Sequence, residues 1–238
     1  MSWRTVVISK RCKLDLKMGY VVTRGEETKR IFLDEIAILV IENPDFFREF
    51  LRDISTQLDG FSGKAVLSRD DTPIGFLGNV ELIDSFVSFE ISRKTLLTKL
   101  VSQLESIAVS ESNYLHTASL MGELEQYIQE LSFELPCDIL CSKMSIGSVL
   151  RAVGIEISDD YANDLERLLD YMELTRELER DRLFLLVNLR SWYSDEEVSK
   201  FLSSILSHEY HVLLVDSISK VRLPNEERVT IDTDLCEF

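Results

Sequence analysis

Proline, glycine and cysteine are all scarce in this 238-residue chain, which has four prolines, nine glycines and four cysteines. With no low-complexity stretch and no internal repeat of useful length, that scarcity excludes a disordered linker and a solenoid. Cys12, Cys137, Cys141 and Cys236 are too few and too scattered for a disulfide framework, so reduced thiols are expected. No apolar run approaches the roughly 18 to 20 residues a membrane-spanning helix needs; the longest are short, such as Leu183 to Val187. Arg4, Lys10, Arg11 and Lys13 interrupt any apolar core of a signal peptide, which predicts a cytoplasmic protein with no membrane partner.

Positive charge is also in short supply. Against 42 acidic residues stand 26 basic ones, a net charge of −16, and a uniformly acidic surface repels the phosphate backbone of nucleic acid. The balance is uneven, because residues 1–37 hold eight Lys/Arg and five Asp/Glu. A nucleic-acid ligand therefore requires the cations to gather on one face. What is plentiful is apolar content, 45% of the chain, enough for the core of one elaborated domain or two small ones.

Residues 3–9 and 18–24 are β-branched and aromatic, which predicts antiparallel strands. The unbroken apolar run 36–41 predicts a strand buried on both faces. Asn43-Pro44-Asp45 then supplies an N-cap, a first-turn proline and a first-turn acid, and Phe46, Phe47, Phe50, Leu51 and Ile54 make one helical stripe ending near Gly60. Further strands are expected at 65–67 and 80–89, around the turn-rich Asp70-Asp71-Thr72-Pro73. Helices are predicted over 93–111 after Ser92, over 113–133, over 145–153 with Gly154 as the stop, and from a cap at Ser158-Asp159-Asp160 to about 180. The strand 183–187, a helix opened by the capping box Ser194-Asp195-Glu196-Glu197, and the strand 212–215 imply a parallel pair.

Several motifs carry less chemistry than their letters suggest. Gly60-Phe61-Ser62-Gly63-Lys64-Ala65 is close to a phosphate-binding loop, but Leu58 stands where its first glycine belongs and Ala65 where the magnesium-binding hydroxyl belongs. The strand ending in Asp216 has the form that presents a magnesium-associated carboxylate in nucleotide hydrolases, without a competent partner loop. His208 and His211 are three residues apart, one short of the zinc-protease spacing, and Cys137 and Cys141 lack a second ligand pair. Arg93, Lys94 and Lys99 on the first long helix, with Lys143 and Arg151 on the short later one, are candidate phosphate contacts that would position a duplex without reading its sequence.

The succession Ile38-Leu39-Val40-Ile41-Glu42-Asn43-Pro44, Val80-Glu81-Leu82-Ile83-Asp84, Thr95-Leu96-Leu97, Leu150-Arg151-Ala152-Val153-Gly154-Ile155, Leu183-Phe184-Leu185-Leu186-Val187-Asn188, Ser194-Asp195-Glu196-Glu197-Val198 and Val212-Leu213-Leu214-Val215-Asp216 resembles, in order, the accessory adaptation family of type II-A CRISPR systems, the Csn-two family, over about residues 38–238. The resemblance implies an α/β fold: an ATPase-like head with a mixed, partly parallel sheet over 38–91 and 183–238, and an inserted long-helix leg over 92–182. It also implies a ring-shaped homotetramer that binds double-stranded DNA ends without sequence preference and without catalysis. Its expected partners in spacer acquisition are the integrase complex and the type II effector nuclease.

Calcium holds the ring together in that family. The corresponding stretch here, residues 134–143, offers only Glu134 and Asp138 as carboxylates, against the six to eight oxygens calcium takes. Residues 1–43 resemble instead the start of the CRISPR spacer integrase, and residues 1–37 are expected to add strands to the head sheet and no chemistry. Two rival expectations remain: a nucleoside triphosphatase using Lys64, and a fusion whose N-terminus impairs assembly.

Overall fold

A computed structural model describes residues 12–17, 28–32, 36–69, 72–86, 89, 91, 93–137, 139, 144–223 and 226–236. The chain divides into two compact units, residues 1–89 with 161–238, and residues 90–160.

In the first unit, strands β1 (Cys12–Lys17), β2 (Thr28–Phe32) and β3 (Ile36–Ile41) precede helix α1 (Pro44–Leu58). Strands β4 (Ala65–Arg69), β5 (Thr72–Ile74) and β6 (Val80–Ile83) follow. The second unit contributes α2 (Lys94–Ala108), α3 (Tyr114–Ser132) and α4 (Ile146–Ala152). The chain then returns to the first unit with α5 (Asp164–Leu178), β7 (Leu183–Val187), α6 (Asp195–Ser207), β8 (His211–Asp216) and β9 (Glu226–Ile231).

Parallel and antiparallel pairings are segregated into two sheets. One has the order β6-β7-β8-β3-β9 and only parallel neighbours; the other, β2-β1-β4-β5, is antiparallel throughout. Burial on both faces explains why β3, β7 and β8 read as unbroken apolar runs. Alternation sends Ala37, Leu39, Ile41, Leu183, Leu185, Leu213 and Val215 into a core shared with Phe50 and Ile54 of α1 and Ala65 and Leu67 of β4. The intervening residues face the other way, where Phe184 meets Tyr171 of α5 edge-on at 6.4 Å.

The N-terminal strands depart from the expectation that they join the head sheet. β1 pairs with β4, and β2 with β1, in the separate antiparallel sheet, and the place beside β3 is taken by β9. Strands expected at 3–9 and 18–24 lie outside the described residues. The strand from Val80 stops at Ile83. Helix α5, placed by the sequence reading within an insertion ending at 182, groups with the first unit because it buries Leu165, Leu168, Tyr171, Met172 and Thr175, with Tyr171 against Phe89 as well. Its cap is Asn163, whose Oδ1 accepts from Leu165 N at 2.8 Å, and the capping residue of α2 is Arg93.

The other predicted caps form. Both reciprocal bonds of the Ser194/Glu197 capping box are present. Asn43 caps α1 by accepting from Asp45 N at 3.1 Å and Phe46 N at 3.0 Å, and its own amide donates to Thr233 O at 2.8 Å. Asn43→Ala is therefore expected to cost about 1 kcal/mol, seen as a drop of about 2–4 °C in Tm; an unchanged Tm would show the cap to be idle.

Candidate nucleic-acid interface

The unit at 90–160 contains five basic residues in its sequence, Arg93, Lys94, Lys99, Lys143 and Arg151, and none of them lies on α3, which carries Glu123, Glu125 and Glu130. Arg93 is the extended capping residue of α2, without a side-chain capping bond, and Lys94 opens its first turn. Cations at that end of a helix face the positive pole of its macrodipole, a cost of about 0.3–1 kcal/mol each that a bound anion would reverse. Lys94 and Lys99 are exposed. At 100° per residue, Lys94 shares a face of α2 with Glu105, while Lys99 stands about 140° round from it.

Helix α4 packs on α2 along the Glu105 face. The approach is close: a β-carbon on Gly147 would lie 2.3 Å from Glu105 Oε1. Arg151 Nη1 comes within 3.7 Å of Glu105 Oε2, an exposed pair that water screens. The structure thus brings Arg93, Lys94 and Arg151 to the α2–α4 pair and turns Lys99 to a neighbouring face. Lys143 and Asp138 lie outside the described residues. Glu134 is exposed just beyond α3. Among the described residues no three His, Cys, Asp or Glu side chains come together as metal ligands. His208 caps the end of α6, stacked on Tyr210 at 5.6 Å, while His211 begins β8; Cys137 is exposed.

In the head, both places where a phosphate would sit are filled by the chain itself. In parallel sheets ligands bind beyond the carboxyl ends of the strands, at the N-termini of the helices that follow. After β3 that terminus is α1, where Pro44 has no N–H, Asn43 Oδ1 takes two amides, Phe47 N donates to Asn43 O at 2.9 Å and Asp45 adds a negative charge. The 60–65 loop leads into a strand, and Asp53 accepts its backbone amides, from Lys64 N at 2.8 Å and Ala65 N at 2.9 Å. The Lys64 ammonium pairs with Glu49. At the end of β8, Asp216 is buried; desolvation pushes its carboxyl up to about 6, against the pull of Arg190, Lys220 and Arg228.

Sequence reasoning missed the uncovered face of α3. The helix buries none of its residues, and Leu120, Leu124, Tyr127 and Leu131 are between 36% and 57% exposed. Their spacing of four, three and four is a heptad seam, a signal visible in the letters. Whether a seam is covered depends on its neighbours in space. It was also blind to the charges around Arg190, whose partners Asp195 and Glu226 come from different elements. Among the described residues no helix is long and apolar enough to cross a membrane.

These features define a class: an α/β protein on a five-stranded parallel sheet, interrupted by a separate helical unit, with its phosphate-loop positions occupied by its own side chains. The family model described as CRISPR-associated protein (Cas_Csn2) matches residues 57–235, three quarters of the chain, and the chain belongs to that family. The integrase-like resemblance of residues 1–43 lies outside the match. No curated protein matches the chain. Among solved structures it is similar to Stu0660 of Streptococcus thermophilus, at 14% identity and a TM-score of 0.52, covering 87% of this chain and 69% of that one. It is also similar to a putative ABC transporter ATP-binding protein from Pyrococcus furiosus, at 11% identity and a TM-score of 0.40, covering 91% of this chain and 96% of that one. The first likeness is one of fold.

Proposed function

We propose that this CRISPR-associated chain is a non-catalytic subunit of a homotetrameric ring that grips double-stranded DNA ends, irrespective of sequence, during spacer acquisition. The observation that carries the reading is the sorting of charge within 90–160: cations at α2 and α4, carboxylates on α3. A ring can then be acidic outside and basic within, which reconciles a net charge of −16 with a polyanionic ligand. The exposed seam of α3 supports self-assembly, since a helix with no fully buried residue gains little from packing within its own chain. In this reading the CRISPR spacer integrase complex and the type II effector nuclease are its partners, and no step runs through calcium.

Native mass spectrometry with a short blunt duplex tests it. The expected species is four chains of 27.4 kDa with one duplex, dissociating steeply between 50 and 200 mM salt. Single chains that ignore the duplex at low salt would contradict the proposal. The filled amides at Asn43 and Asp53 weigh against a triphosphatase. Any hydrolysis in a preparation should accordingly be unchanged by Lys64→Ala; its loss in that variant would revive the enzymatic reading.

A further inference from the structure

Residues 217–223 leave β8 and lead towards β9 without forming helix or strand, so the carbonyls of this segment need partners from elsewhere. Two arginines supply them. Arg190 Nη2 donates to Val221 O at 2.5 Å, and Arg228 donates to Lys220 O at 2.5 Å and to Val221 O at 3.4 Å. Lys220 returns a bond to Arg190 O, while Ser217 donates from its N–H and its hydroxyl to Asn188 Oδ1 at 2.8 and 2.9 Å. The segment is a strap held down by side chains. Its outer surface shows Ile218 and Val221, 64% and 77% exposed, and Arg222.

Beneath it lies a closed set of charges. The side chains of Arg190, Arg228 and Glu226 are 1%, 5% and 1% exposed. Glu226 pairs with Arg228 and lies 3.7 Å from Arg190 Nη1, and Asp195 at the start of α6 accepts from Arg190 Nη2 at 3.3 Å. Register places Arg228 on the same sheet face as Leu214 and Asp216, because both Leu214 and Arg228 pair with Ile38. Asp216 is the odd member. It is 3% exposed, and neither of its carboxylate oxygens has a hydrogen-bond partner among the described residues. Arg190 Nη2 and Arg228 are engaged with strap carbonyls, Asp195 and Glu226, and Lys220 with Arg190 O, while Arg190 Nε and Nη1 and Arg228 Nε make no hydrogen bond among the described residues.

We propose that the strap at 217–223 is coupled to the proton on Asp216, closed when the carboxyl is protonated and released when it is ionised. A bare carboxylate in this enclosure is relieved by water entering, or by Arg190 or Lys220 turning from the strap to the charge. Either response loosens the strap. Burial, with Glu226 adding to it, lifts the carboxyl from its ordinary 3.8 to about 6 in the closed form. A group that holds its proton more tightly when closed favours closure at low pH and opening as pH rises through about 6. The shift in the closing equilibrium by neutral pH is up to about a hundredfold. Opening bares the carboxyl end of β8, the edge of a parallel sheet that faces ligands. This inference is independent of DNA binding.

Hydrogen exchange read by mass spectrometry on the full chain, at pH 5 and pH 7.5 with rates corrected for intrinsic chemistry, tests it. Protection of the amides at 217–223 should fall several-fold, up to about tenfold, at the higher pH, while that of β7 and β8 holds. In Asp216→Asn the strap should stay protected at both pH values, with β7 and β8 reporting in the same spectra that the variant is folded. Equal strap protection at both pH values in the unmodified chain overturns the proposal, with no variant needed. So does an equal fall in Asp216→Asn.

Discussion

Glutamate placed at both Leu124 and Leu131 is expected to reduce the assembly to single chains of 27.4 kDa while leaving each chain folded. Both side chains are solvent-exposed within the chain, at 36% and 51%, so their loss removes little intramolecular packing and should move Tm by no more than a degree or two. Between copies they are proposed to form the middle of the seam, flanked by Leu120 and Tyr127. A carboxylate there is buried without a partner, and two such charges at each contact should weaken association by at least about a hundredfold. DNA binding is expected to go with it, since the proposed basic lumen requires the ring. Size-exclusion chromatography with light scattering reads the mass. An unchanged mass would place the oligomer contacts elsewhere.

The second large effect concerns charge. Replacing Lys94 and Arg151, cations that the α2–α4 pair carries, with glutamate should weaken duplex binding by more than about tenfold at 100 mM salt, because each exchange substitutes repulsion for a phosphate contact. Two cations in each of four copies also set a limit on the salt dependence, whose slope should become shallower by up to about 7. Lys200→Glu on α6 is the control. Lys200 is exposed and engaged with Glu196 at 2.8 Å, in the unit that does not carry the proposed lumen. Fluorescence anisotropy on a short duplex should show the double variant impaired and the control unaltered; equal affinities would remove the α2–α4 pair from the interface.

Why some of this was legible in the letters and some was not follows from the physics of each element. β3, β7 and β8 are apolar on both faces, and Asn43-Pro44 and Ser194-Glu197 satisfy helix N–H groups from adjacent residues, so each announces itself locally. Strand β9 does not. Glu226, Glu227 and Arg228 leave it without an apolar run, and only the fold brings Arg190 across to Glu226. Helix α5 has a clear apolar stripe, but periodicity says which face is buried and nothing of which unit buries it. For the site, residue types and spacing located the cations of α2 and α4; they did not reveal that Lys99 turns aside or that α3 buries no residue among the described residues. The strand ending in Asp216 stands out in the letters only as a form shared with magnesium-binding carboxylates; the burial of its carboxyl without a hydrogen-bond partner has no sequence signal.

The account rests on DNA being held by threading an end through a closed ring. Competition between a linear duplex and a covalently closed circle of the same sequence and length tests that most directly, with the tetramer confirmed by mass in the same buffer. Linear DNA should displace the probe at concentrations at least about tenfold below those needed for the circle. Equal displacement by the two forms would contradict threading and leave a protein that binds duplex along its side.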